Sequence, residues 1–123
     1  MIRNIVIALF AIVSQSAFAG DGEKIAQLIQ GGNSAELSAM FNSSIELVTP
    51  GSSGVNTREQ ARMVLDNFFR NNTPVKATLA HETTGTSNSM IVVSLVTKTG
   101  SFRISIVGTH KNGSFIINEF KIS

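Results

Sequence analysis

The chain has 123 residues, ten basic and eight acidic side chains, a net charge of +2 and no cysteine. Arg58, Arg62, Arg70, Lys76, Lys98, Arg103, Lys111 and Lys121 are scattered, which excludes the concentrated basic face that a nucleic-acid binder needs. Without cysteine there is no disulfide and no thiol for a lipid anchor, so the fold must rest on its core alone.

The first residues carry an address. Met1-Ile2-Arg3-Asn4 gives a basic start, Ile5–Val13 is an unbroken apolar run, and Ala17-Phe18-Ala19 is a small-x-small exit before Gly20. This is the pattern of a secretory signal peptide cleaved after Ala19. The run is well short of the roughly 20 apolar residues that span a bilayer. The expectation is a signal peptide over 1–19 and one soluble domain over 20–123. That domain would be exported to the periplasm or beyond, with no membrane anchor.

Three helices are predicted next. Over Gly22–Gln30, Ile25, Leu28 and Ile29 fall on one helical face, and Gly31-Gly32 ends the helix. Asn33, with Glu36 three residues on, opens a second short helix edged by Leu37, Met40 and Phe41. A strand follows over Ser44–Thr49, and Pro50-Gly51-Ser52-Ser53-Gly54 reads as a loop. Thr57 and Gln60 form a capping box for the third helix. Its stripe of Ala61, Val64, Leu65 and Phe68 should face a sheet, with Phe68 central.

From Val75 the period changes to two. Four strands are expected, Val75–Thr83, Ser89–Thr97, Ser101–His110 and Ser114–Ile122, joined by short turns as an antiparallel meander. At Lys111-Asn112-Gly113 a two-residue turn would set Ile106 against Glu119 on the inner face. A three-residue loop with a glycine bulge instead keeps Phe102, Ile104 and Ile106 with Ile116, Phe120 and Ile122. Burial favours the bulge, which puts Val107 and Ile117 on the outer face.

The order ααβαββββ resembles the nuclear transport factor 2-like (cystatin-like) superfamily, which includes ketosteroid isomerase. Local sequence narrows this. Gly20-Asp21-Gly22-Glu23-Lys24-Ile25-Ala26, Gly32-Asn33-Ser34-Ala35-Glu36-Leu37, Phe41-Asn42-Ser43-Ser44, Asp66-Asn67-Phe68-Phe69, His81-Glu82 and Gly100-Ser101-Phe102-Arg103 resemble an exported bacterial family known as domain of unknown function 4783. The resemblance implies an α+β cone with helices packed on a curved antiparallel sheet, and implies no activity.

An isomerase of this fold needs a carboxylate base and hydroxyl or protonated-acid donors in one cavity. There is no tyrosine, and the strand carboxylates are Glu46, Glu82 and Glu119. His81 continues the set Val75, Ala77, Leu79 and is expected to point toward the helices, as a candidate ligand-binding residue. Ser94, in the most apolar strand, suits a pocket lining or a bond to a neighbouring strand. His110 lies beside a turn, and two separated histidines make no metal site. Arg103 is expected on the outer face near Glu119, forming a cross-strand ion pair.

These residues name no catalytic group, metal or cofactor. The leading expectation is a non-catalytic module whose cavity takes a small, mainly apolar ligand. The alternatives are a scaffold acting through its sheet face and, behind it, an acid/base enzyme built on His81. Ile91-Val92-Val93 and Leu95-Val96 leave one strand apolar on both faces, which suggests a homodimer through the outer face of the sheet.

Overall fold

The computed structural model describes residues 20–123, so the expected signal segment lies outside the described residues. Helix α1 runs over Asp21–Gln30 and α2 over Ser34–Ala39. Strands β1 (Phe41–Thr49) and β2 (Ser52–Thr57) precede α3 (Arg58–Asn71). Strands β3 (Pro74–Thr84), β4 (Ser89–Thr97), β5 (Ser101–Lys111) and β6 (Ser114–Ile122) complete the chain.

Helix boundaries follow the local chemistry. Gly32, at φ 61°, takes the left-handed conformation after α1. Its N–H donates to Ile29 and that of Asn33 to Leu28, the paired bonds that close a helix C-terminus. The Asn33 side chain then accepts from the Glu36 N–H to start α2, and donates to the Glu36 carboxylate at 2.7 Å. At α3 both halves of the Thr57–Gln60 capping box are present.

The six strands form one sheet in the order β2-β1-β6-β5-β4-β3. All neighbours are antiparallel except β1 and β6, which run parallel because the chain returns to β1 only after the whole meander. The sequence expectation lacked β2. Its residues, Ser52–Thr57, are polar or glycine apart from Val55 and almost wholly exposed, so they carry no inward-facing alternation. Pro50-Gly51 is the turn of a hairpin, and Thr49 pairs with Ser52.

The β5–β6 hairpin corrects a second expectation. Asn112 (φ 53°) and Gly113 (φ 81°) make a two-residue turn, with Lys111 opposite Ser114. The register shifts further along, where Gly108 pairs with Ile117 but Val107 with Glu119. Asn118 is the extra residue. The far half therefore keeps the expected shared face, with Ile106 opposite Phe120 and Ile104 opposite Ile122. Near the turn the assignment reverses: Ile117 is fully buried and Ile116 lies half-buried on the outer face. Gly108 sits at this shift because a Cβ there would fall 2.5 Å from the Ile116 carbonyl and from the Phe115 ring.

All three helices cover one face of the sheet. Between them lies a core of Ile25, Ile29, Leu37, Phe41, Leu65, Ile91, Val93, Leu95, Ile104, Ile106 and Phe120, each at most 1% exposed. Ser34 donates to the Asp66 carboxylate, tying α2 to α3.

Candidate functional site

The core does not fill the whole space under α3. At the end where β1 turns into β2, an open cavity of about 530 Å³ remains between the helix and the sheet. Met63, Val64, Asn67, Phe68, Asn71 and Asn72 line one wall, Thr49–Ser52 another, and Phe102 of β5 the floor. Phe68 lies between helix and sheet as expected, only 7% exposed. Its ring meets Phe102 edge-on, with centroids 5.2 Å apart and planes at 79°.

The polar groups here are amides rather than charges. Asn72 is committed: its amide donates to the Phe68 carbonyl at 3.0 Å, and its side-chain oxygen accepts from Thr99. Asn67 and Asn71 share one long bond of 3.5 Å, in which Asn71 donates to Asn67. That leaves an N–H₂ on Asn67 and an oxygen on Asn71 facing a largely apolar wall. No lining residue is titratable. The arrangement can hold an uncharged molecule against aromatic and aliphatic surface and orient it with one or two amide hydrogen bonds.

His81 and Ser94 lie outside this cavity. In β3 the register shifts between Leu79, opposite Val93, and His81, opposite Val92. Ala80 is a bulge, and it turns His81 outward and Glu82 inward. The expectation that His81 points toward the helices is thus corrected. His81 is exposed, with Nε2 2.7 Å from the Thr83 hydroxyl. Ser94, paired with Thr78 and Arg103, is exposed on the outer face as well. The two residues share a face without forming a site.

The cavity residues were present in the sequence as a second row on α3. Met63, Asn67 and Asn71 recur at i, i+4, i+8 beside the Phe68 stripe, continuing the row that begins at charged Glu59. A row of methionine and amides where charges are expected was the available signal.

A smaller cavity of about 340 Å³ lies at the other end, lined by Asp21, Lys24, Met40, Ser114, Phe115 and others. Beside it His110 bonds Asp21 at 2.9 Å and packs on Phe115. Among the described residues no three His, Cys, Asp or Glu side chains form a metal-binding group, and no helix is long and apolar enough to cross a membrane.

On the outer face Glu119 pairs with Lys121 at 3.2 Å rather than with Arg103, because Glu119 lies opposite Val107. Arg103 is opposite Ser94 and exchanges backbone bonds with Ser123. Glu46 lies 3.8 Å from the same lysine, and the hydrogen bond to Glu119, with the charges of both carboxylates, holds Lys121 above its ordinary value of 10.5. A raised lysine pKa adds stability that is complete below the unfolded value and lost as pH rises through the folded one. Lys121→Gln should therefore lower the melting temperature slightly at neutral pH, and the difference should close in strongly alkaline buffer. A difference that persists there would contradict the ion-pair account.

Solved structures share this architecture. A DUF4783 family protein from Bacteroides fragilis YCH46 is 27% identical, covering 85% of this chain and 96% of that one, with a TM-score of 0.75. One from Bacteroides uniformis ATCC 8492 is 19% identical over 85% and 96%, with a TM-score of 0.78. An NTF-2-like protein of unknown function from Silicibacter pomeroyi DSS-3 is 16% identical over 100% and 98%, with a TM-score of 0.59. No curated protein matches the chain. Residues 22–123 match the family described as Domain of unknown function (DUF4783), and the chain belongs to that family, on a nuclear transport factor 2-like fold.

Proposed function

We infer that this is an exported, non-catalytic binding module that takes a small, uncharged, mainly apolar ligand in the cavity beneath α3. The observation that carries the reading is an open cavity of about 530 Å³ bordered by the Phe68 and Phe102 rings, with no titratable lining residue. Its size falls within the range of about 300–1,000 Å³ usual for small-molecule sites. The strand carboxylates Glu46, Glu82 and Glu119 line neither this cavity nor the smaller one, which weighs against an isomerase-like acid/base reading. Mass spectrometry of protein isolated from its native compartment tests the idea. A neutral compound that co-purifies with wild type and is lost from Val64→Trp is expected. Equal recovery from both proteins would refute it.

Export rests on the basic, apolar and Ala-Phe-Ala pattern of residues 1–19. N-terminal sequencing of protein recovered after export should begin at Gly20, and retention of Met1 would exclude the processing.

A second reading is self-association through the outer face of the sheet. It draws on Met90 and Val96, each 45% exposed, with Val107 and Ile116 half-buried on the same face. The patch is narrower than the sequence suggested: Val92 is only 3% exposed, Ile117 lies inside, and Ser94, Arg103, Ser105 and Lys121 interrupt it. Light scattering at micromolar concentration should give the mass of a dimer, abolished by Val107→Glu. A wild type that stays monomeric on concentration removes this reading.

A further inference from the structure

Gly20 is the N-cap residue of α1, and no side chain caps it. The Glu82 carboxylate, turned inward by the Ala80 bulge, comes to this helix end from β3. A Cβ on Gly20 would lie 3.3 and 3.4 Å from its two oxygens, and one on Gly22 would lie 2.6 Å from the nearer. The backbone nitrogen of Gly20, bonded to the same Cα, is then within about 6 Å of the carboxylate. Glu82 is half-buried and, among the described residues, makes no ion pair.

The other charged groups here do not supply the missing cation. Asp21 and Glu23 are acidic, His110 from β5 is bonded to Asp21, and Lys24 is exposed one turn along α1. Ser89 is buried with an unpartnered hydroxyl on the same inward side, where it pairs with Thr84 as Ile91 pairs with Glu82. The positive end of α1 favours the Glu82 carboxylate, and that carboxylate in turn offsets a positive charge at the same helix end, which would otherwise be unfavourable. One event places such a charge there. Hydrolysis of the Ala19–Gly20 peptide bond by an export peptidase adds one water. It leaves a carboxylate on Ala19 and an amine on Gly20 that takes up a proton.

We propose that removal of residues 1–19 completes this fold, because the α-ammonium group released on Gly20 pairs with Glu82. The processed chain is therefore more stable than the same chain with that nitrogen blocked. This rests on the processing at Ala19 inferred above, and the two are tested separately.

Protein is exported from a bacterial host and its first residue read by mass spectrometry. A start elsewhere overturns both the processing and its role in folding. With the chain starting at Gly20, the α-amino group is followed by ¹⁵N NMR across pH. It should titrate above the ordinary range of about 7.7–8.0 in wild type and fall back into that range in Glu82→Gln. Wild-type titration within the ordinary range overturns the pairing. Should Glu82→Gln fail to fold, Nα-acetylation of wild-type Gly20 serves instead. It should lower the melting temperature by at least ~2 °C at neutral pH, with the loss vanishing once pH exceeds the α-amino pKa. An acetylated chain as stable as the free one overturns the proposal.

Discussion

Phe120→Ala should remove a large share of the protein's stability. Phe120 is fully buried on β6, between β1 and β5, where its register partners Leu47 and Ile106 are also buried. Its ring packs on Phe41 with centroids 5.7 Å apart, at the junction where the parallel β1–β6 pair joins the β1–β2 hairpin to the meander. Removing a buried phenyl ring costs about 3–5 kcal/mol, from the roughly 5–15 kcal/mol that holds a domain together. No disulfide is available to limit the unfolded state. Urea unfolding should show the loss directly. A change below about 1 kcal/mol would mean that the β1–β6 junction is not the centre of the core.

Phe68→Ala should cost less, near the ~3 kcal/mol lower end of the same range. Its ring also packs on the α3 and β5 side chains, but one edge borders the open cavity. Truncation there enlarges a space that water already reaches, so less sealed void is created. The prediction is an ordering: Phe120→Ala well below Phe68→Ala in midpoint denaturant concentration, and both below wild type. The reverse order would show that the cavity is closed in solution and that Phe68 is a central core residue.

The elements legible in the sequence were those with local, one-sided signals. The Thr57–Gln60 capping box, the Gly31-Gly32 stop and the alternation of Phe102, Ile104 and Ile106 each need only neighbours a few residues away. Strand β2 carried no such signal, because Ser52–Thr57 gains its conformation by pairing with β1 rather than by burying side chains. Bulges were harder still. At Ala80 and Asn118 one extra residue reverses the face of everything between it and the strand end. That moved His81 outward, Glu82 inward, and exchanged Ile116 with Ile117. Bulge positions depend on partner strands and on close approaches such as Gly108 against the Ile116 carbonyl, which alternation cannot report. A cavity was expected, but the residues that line it were missed for a related reason. An apolar stripe on α3 implies a partner surface, but not that the sheet curves away from Met63, Asn67 and Asn71 at one end.

The central claim is that the space under α3 receives an uncharged ligand, and NMR titration tests it most directly. The mature protein is titrated with neutral naphthalene-sized compounds and with carboxylate and ammonium analogues of the same size, following the Met63 and Val64 methyls and the Asn67 and Asn71 side-chain amides. The account predicts saturable shifts at these four residues for neutral compounds, much weaker ones for charged analogues, and none in Val64→Trp. Absence of saturable shifts at these residues, or equal response to charged and neutral compounds, would contradict it.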